Sequence, residues 1–510
     1  MDERATPQSG LNPVIIWAAA AAVAALGSWI IFDALPGINW LLCTAAAVLG
    51  LGFILTRHRG GFDRLPLVAP TLAAGITAAA SLTADPFMHA MIVLSVILLL
   101  ALAMLLAVDS RLERISAFFV LTAPFVAGAR ALAESASRAI DASRIVRSHR
   151  ARAAVRGIAI TAPVIFFFAV LLAEADPVFA AWRDAALRVL ESWAFIPRTI
   201  FFFGLLTIVL GAYGYVARDA SAGDTQGTTV AAAPSAYPAR WLGATERFML
   251  LASVGALFWI FLAVQLSYLF GNLPATAGSG VTFAEYARQG FGELTVVATA
   301  TVLLIILTER YGQKSHRDGL LRVITLAVIA AVLILLGSAF NRVSLYESAY
   351  GFTTSRLYAQ VYMLAVAFTL VVLALETRHE MEPSRVFRRA GSAAMVTFLV
   401  MLYWNHEAWI ARENIARFAS TGKLDVVYLS RDLSPNAIPA IIAALPSLPE
   451  PARSELRTAL GKRYDNRREL QEHQWFEWNH GRAAARRALL QIGVSLDRRT
   501  TASHAPVVIR

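Results

Sequence analysis

The sequence has 510 residues, of which 57% are hydrophobic and 16% are charged, and its mean hydropathy is +0.56. A soluble multidomain protein needs about 25% charged residues to cover its surface, so this composition excludes one and indicates an integral membrane protein. The formal net charge of +11 does not indicate nucleic-acid binding, because most basic residues lie in short segments that flank apolar runs. The only cysteine, Cys43, lies inside such a run, which excludes a disulfide framework.

Apolar runs of the length that a helix needs to cross a bilayer recur along the whole chain. About eleven runs approach this length of roughly 17 to 25 residues. They cover residues 14–32, 38–55, 65–83, 88–108, 157–172, 196–217, 248–269, 294–307, 320–339, 358–375 and 391–403. We therefore predict an all-α fold, a polytopic transmembrane helix bundle with a small helical C-terminal soluble domain.

The positions of these runs divide the chain into six regions. Residues 218–244 form a flexible inner linker, because this segment is rich in Ala, Gly, Ser, Thr and Pro. The other regions are a four-span region (1–110), an interfacial basic helical segment (111–156), a two-span region with an outer amphipathic helix (157–217), a five-span region (245–403) and a soluble helical tail (404–510).

The distribution of Lys and Arg predicts the orientation in the membrane. Basic residues concentrate in alternate connecting segments, which predicts that the N-terminus lies in the cytoplasm and the C-terminal tail outside. One segment leaves open whether the number of spans is odd or even. Ile115–Ala129 is apolar but short, contains Pro124 and has arginines at both ends, so we interpret it as interfacial or re-entrant. If it crosses the membrane, the tail is cytoplasmic.

A basic segment follows that short apolar run. We interpret residues 130–156 as a basic helix on the inner leaflet, where each Lys or Arg gains about 1 kcal/mol near anionic head groups. A solvated linker helix is the alternative. The arginines predicted to contact lipid head groups are Arg144, Arg147, Arg150, Arg152 and Arg156. In an outer connection, Asp85 is predicted to cap the helix that Pro86 begins.

A short polar and aromatic stretch, Ser338–Gln360, lies between two long apolar runs. Gly351 is predicted to end the preceding helix, and Thr353 or Thr354 to cap the next one. Helical spacing places Arg342, Tyr346 and Tyr350 on one face and Glu347 elsewhere. The predicted polar cluster at the outer face comprises Tyr286, Arg288, Glu293, Arg342, Tyr346, Glu347, Tyr350 and Arg356. Such residues serve either as anchors at head-group level or as a ligand or conduction site, and both interpretations remain open.

The tail offers a weak candidate for a metal site. A charged helix is predicted over residues 469–490, in which His473, Glu477 and His480 would share a face. This spacing differs from the zincin motif, and an ordinary surface helix is the alternative, so no metal is assigned. We find no catalytic constellation and no phosphate-binding or dinucleotide-binding motif, and we predict no cofactor.

Several stretches carry a family resemblance. They are EADPVFAAW (174–182), YARQGFGE (286–293), RVSLYESAYGFTTSRLY (342–358), ARENIARF (411–418) and GKLDVVYLSRDLSPNAIPAI (422–441). With these stretches, residues 157–490 resemble a family of bacterial polytopic membrane proteins known as domain of unknown function 4173, with its relative 4153. The resemblance implies a multi-pass location in the bacterial inner membrane, and it supplies no catalytic residues.

Three function classes are consistent with the sequence. The first is a non-enzymatic envelope scaffold or sensor, whose tail binds an envelope protein partner and whose spans contact lipids, including anionic head groups. The second is a transporter or channel with a polar site at the outer face. The third is an enzyme acting on lipid-linked substrates through Asp33 in the first outer loop, although this loop is too short to form a substrate site alone.

Overall fold

The computed structural model describes most of the chain, and its regular structure is helical apart from one isolated bridge between Leu242 and Gly312. The described residues are 13–59, 65–108, 117–143, 195–217, 242, 244–270, 291–313, 318–377, 382–465, 467–471, 474–494 and 496. The chain divides into two compact units. The first contains the helices up to residue 216 together with the segment 474–483, and the second contains the later helices and most of the tail.

Eleven helices precede the tail in the described residues. They are α1 (Pro13–Ile30), α2 (Ile38–Arg59), α3 (Leu65–Ala79), α4 (Pro86–Val108), α5 (Ala117–Ser143), α6 (Phe195–Val216), α7 (Ala244–Phe270), α8 (Phe291–Tyr311), α9 (Asp318–Tyr350), α10 (Thr354–Glu376) and α11 (Pro383–Tyr403). All except α3 and α5 are long and apolar enough to cross a membrane, which gives nine candidate spans in the described part of the chain. The predicted all-α polytopic bundle is confirmed.

Several helices are longer than the apolar runs that predicted them. The ninth run ends at residue 339, whereas α9 continues for another three turns to Tyr350. The short runs at 294–307 and 391–403 lie within the 21-residue helices α8 and α11. Most of the short segment Ile115–Ala129 lies within α5, which continues to Ser143. The predicted span at 157–172 and the predicted outer amphipathic helix lie outside the described residues.

In the first unit, α1 packs against α2 and α6, and α3 packs against α4. The helix α5 joins this core through a stripe of small residues, Ala123, Ala127 and Ala131, which are buried at intervals of four. Its buried Glu134 forms an ion pair of 2.9 Å with Arg138, and the Arg138 guanidinium also donates to a backbone carbonyl of α6. The charged side chains Glu134 and Arg138 can therefore be accommodated where α5 packs against α6, because they pair with each other.

In the second unit, α9 is the central helix and packs against α7, α8 and α10. Its buried residues include Ile329, Leu335 and Val343, which contact Met363 and Leu370 of α10 and other apolar residues of the unit. The far end of α10 is closed by ion pairs. The buried carboxylate of Glu376 accepts from Arg385 at 3.1 Å and from Arg389 at 2.5 Å of α11.

The tail is helical, as predicted. Its elements are α12 (His406–Thr421), a π-helical turn (Tyr428–Asp432), a 3-10 turn (Pro435–Ala437), α13 (Ile438–Ala444), a 3-10 turn (Leu445–Ser447), α14 (Ala452–Tyr464), 3-10 turns at Arg468–Leu470 and Trp475–Glu477, and α15 (His480–Gln491). The predicted continuous helix over 469–490 is wrong. Trp478 has extended backbone and α15 begins only at His480, so Glu477 and His480 do not share a helical face. His473 lies outside the described residues.

Candidate functional site at the α9–α10 turn

The turn between α9 and α10 has the helix caps that its sequence predicts. The helix α9 ends at Tyr350, and Gly351 follows with φ of +87°, a conformation that favours glycine. The Gly351 N–H donates to the carbonyl of Glu347 at 2.7 Å. Thr353 is the N-cap of α10, and its hydroxyl accepts from the N–H of Arg356. Only three residues therefore separate two long helices.

The turn brings part of the predicted polar cluster together. The rings of Tyr346 and Tyr350 are 4.7 Å apart, and the Arg356 guanidinium lies 4.2 Å from the centre of the Tyr346 ring. The same guanidinium donates to the carbonyl of Gly351. These contacts form a cation–aromatic stack that joins the end of α9 to the first turn of α10. Arg342 is half-buried one turn earlier on α9.

Glu347 is the most buried acidic residue of this cluster, with 3% of its surface exposed. Its Oε2 accepts from Nε2 of Gln360 on α10 at 2.7 Å. Its Oε1 is buried and has no hydrogen-bond partner among the described residues. A buried carboxylate oxygen without a hydrogen-bond partner is costly, which makes this position a candidate for function.

The remaining predicted members lie elsewhere. Glu293 is exposed in the first turn of α8, and Tyr286 and Arg288 lie outside the described residues. A hydroxyl pair that the prediction did not include, Thr299 and Tyr362 at 3.0 Å, joins α8 to α10. The arginines that were predicted to contact lipid head groups, Arg144 to Arg156, lie outside the described residues as well.

Helix α12 of the tail binds the main chain of the turn directly. Asn414 accepts from the N–H of Phe352 and donates to its carbonyl, both at 2.8 Å. The Arg417 guanidinium donates to the last carbonyls of α9, with a distance of 2.9 Å to Ser348. A Cβ at Gly351 would lie 2.5 Å from the Asn414 side-chain oxygen. Glycine is thus required twice, by the backbone conformation and by this close approach.

Further tail residues surround the turn. The N–H of Thr354 donates to the hydroxyl of Tyr428 at 2.8 Å. Burial raises the pKa of Tyr428 above its ordinary value of 10.0, so the phenol is neutral at physiological pH. Phe352 packs edge-on against Trp409, and the hydroxyl of Tyr358 is 2.8 Å from Nε2 of His406. Polar and aromatic contacts together fix the tail to this turn.

A buried acid organises the part of the tail that makes these contacts. Glu407, in the first turn of α12, is 2% exposed. Its Oε1 accepts from the N–H of Ser434 at 2.9 Å, and its Oε2 accepts from the Ser434 hydroxyl and from Nδ2 of Asn436 at 3.3 Å. The carboxylate thereby joins α12 to the 3-10 turn that precedes α13. The sequence analysis did not identify this residue, although its position just inside a capped helix favours an acid.

In the first unit, the segment 474–483 contacts two other helix connections. Asn479 donates to the carbonyls of Ala80 at 2.8 Å and Thr83 at 2.6 Å, and Arg482 donates to the carbonyl of Pro36 at 2.8 Å. The N–H of Ile38 donates to a carbonyl of the segment at 3.1 Å. The connection that contains Asp33 is therefore a contact surface for the C-terminal segment.

Metal-binding geometry is not found in the part of the chain that the structure describes, where no three His, Cys, Asp or Glu side chains form a group able to hold an ion. The nine helices of span length in the described residues define the chain as an uncharacterised polytopic α-helical membrane protein. The model of the family described as a domain of unknown function (DUF4153) matches residues 70–444, and the chain belongs to this family. The sequence resemblance named family 4173 as the match and 4153 as its relative, so the prediction is confirmed for this pair of related families and not for 4173 itself. No curated protein and no solved structure matches the chain significantly.

Proposed function

We propose that the protein is a non-enzymatic scaffold or sensor of the bacterial inner membrane, which presents its helical tail outside the cytoplasm. The observation that supports this function is the attachment of α12 to the α9–α10 turn through Asn414 and Arg417. Because these side chains bind main-chain groups at the ends of two spans, a displacement of the tail displaces the spans as well. A partner that binds the tail can thereby act on the membrane region.

Two observations support an external location of the tail, the distribution of basic residues and the contacts of the segment 474–483. The positive-inside rule places the connection between α1 and α2 outside. The segment 474–483 contacts this connection at Pro36 and Ile38, which supports an external position for this segment too. The tail is then available to an envelope protein.

The proposal is tested by separating attachment from insertion. In cells that lack the native protein, we compare a chain ending at residue 403 with the double variant Asn414→Ala/Arg417→Ala and with Arg412→Ala. Arg412 is exposed on the same helix and forms no hydrogen bond or ion pair with the turn among the described residues, so it is the matched control. The truncated chain and the double variant should insert into the membrane normally but fail to restore the wild-type phenotype, whereas the control should restore it. A double variant that fully restores the wild-type phenotype would overturn the proposal.

A transporter or channel is the second candidate, and the buried Oε1 of Glu347 supports it. A carboxylate with an unpartnered oxygen near the end of a span could bind a cation or a proton during transport. Proteoliposomes that contain the wild-type protein should then show ion or proton flux that Glu347→Gln abolishes. Equal flux in the two preparations, or flux no greater than in empty liposomes, would exclude this role.

A further inference from the structure

The tail contains a basic groove that is separate from the α9–α10 turn. The groove has a volume of about 870 Å³, within the range of roughly 300–1,000 Å³ that is typical of ligand pockets. The basic side chains that line it are Arg431, Lys462, Arg463 and Arg467. They come from three places, the π-helical turn, the last turn of α14 and the residues after α14, so the fold brings together charges that are dispersed along the chain.

Two of these cations donate to main-chain carbonyls. Nη1 of Arg463 donates to the carbonyls of Ser430 at 2.7 Å and Leu433 at 2.8 Å. Nε of Arg467 donates to the carbonyl of Arg463 at 2.9 Å. Each guanidinium has further N–H groups beyond those used in these bonds. The groove is therefore organised before any ligand arrives, which lowers the entropic cost of binding.

The other two cations, Arg431 and Lys462, are exposed. Within the described residues, none of the four cations forms an ion pair with a carboxylate. The dipole of α14 accounts for Lys462 and Arg463, which lie in its last turn, but not for Arg431 and Arg467. The four cations outnumber the two carboxylates in the same lining, Glu455 and Glu469, and a bound anion would relieve the repulsion among the cations.

The rest of the lining indicates the kind of anion. Thr458 of α14 provides a hydroxyl donor, as phosphate oxygens require, whereas the Ser454 hydroxyl already donates to the carbonyl of Pro451 at 2.8 Å. Glu455 and Glu469 also line the groove and can accept from hydroxyl or amine groups of a larger ligand. We propose that this groove binds a phosphorylated ligand, either a soluble phosphate compound or a phospholipid head group. The inference extends the proposed sensor function by naming what the tail recognises.

Binding is tested on the full-length protein with two probes. In detergent, titration with inorganic pyrophosphate tests for a soluble ligand. In nanodiscs of phosphatidylcholine with or without phosphatidylglycerol, hydrogen exchange of α14 tests for a head group. The variant is Arg431→Gln, and Arg412→Gln is the control, because it removes one exposed arginine of the same tail away from the groove. We expect Arg431→Gln to weaken binding about tenfold through the loss of a charge-assisted contact.

Each outcome decides the proposal. Saturable pyrophosphate binding that only Arg431→Gln weakens supports a soluble ligand. Protection of α14 that depends on phosphatidylglycerol, and that only Arg431→Gln removes, supports a head group. The absence of both effects, or equal losses in the two variants, overturns the proposal. Asn414→Ala separates this proposal from the sensor function, because that variant should still bind pyrophosphate in the groove even if attachment to the turn proves unimportant.

Discussion

Replacing Asn414 with alanine should release the tail from the α9–α10 turn. The change removes two hydrogen bonds of 2.8 Å to the main chain of Phe352, each with a net value of about 1 kcal/mol. A loss of about 2 kcal/mol lowers the docking equilibrium roughly 30-fold. Hydrogen exchange of the turn should accelerate by about this factor, since its amides exchange when the tail detaches.

The amide of Thr354 provides the critical readout. Its acceptor is Tyr428 rather than Asn414, so its exchange should accelerate in Asn414→Ala only if the tail detaches as a unit. Arg412→Ala, on the exposed side of the same helix, should leave both amides unchanged. Faster exchange of Phe352 with unchanged exchange of Thr354 would refute this reasoning, because the two contacts would then break independently.

Four further outcomes are expected. Gly351→Ala should lower the stability in detergent by about 1–3 kcal/mol, as measured by thermal unfolding, whereas Gly337→Ala, whose added Cβ meets nothing within 4 Å, should not. Asn479→Ala should increase tryptic cleavage after the buried Arg482, because the segment loses its bonds to two carbonyls. Ser420→Cys should react in intact cells with an impermeant maleimide, while Cys43 stays unlabelled because it is buried. Docking of the tail on the turn should be fully stable below pH 10.0, the ordinary pKa of tyrosine, and should weaken above it, because Tyr428 ionises more readily in the detached state. Hydrogen exchange of the turn should show this pH dependence in the wild-type protein and not in Tyr428→Phe.

Helix caps, which depend on residues that are neighbours in the chain, could be predicted from the sequence. Asp85 accepts from the N–H of Phe87 at 2.9 Å and Pro86 begins α4, as expected for a cap followed by proline. Gly351 and Thr353 likewise end and begin helices where predicted. Such signals are reliable because each capping interaction spans only a few residues, so the residue type itself specifies the geometry.

Helix lengths inferred from apolar runs, and long-range contacts, were less predictable. An apolar run measures the lipid-facing part of a helix, so it stopped at residue 339 although the helical hydrogen bonds of α9 continue to Tyr350. Asn414 and Phe352 are 62 residues apart, and Asn479 and Ala80 are 399 apart. A polar side chain in a single sequence does not indicate which distant carbonyl it binds. The only signal was that both Phe352 and Asn414 belong to stretches that carry the family resemblance.

Contacts within the first unit show the same limit of the sequence. Asn479 donates to the carbonyl of Ala80, after α3, and Arg482 donates to the carbonyl of Pro36, before α2. The Ser28 hydroxyl near the end of α1 donates to the carbonyl of Arg198 in α6 at 3.4 Å. In each of these bonds the acceptor is a main-chain carbonyl, which every residue carries whatever its side chain. The acceptor's residue type therefore gives no sign of the contact, and only a fold that brings distant segments together reveals it.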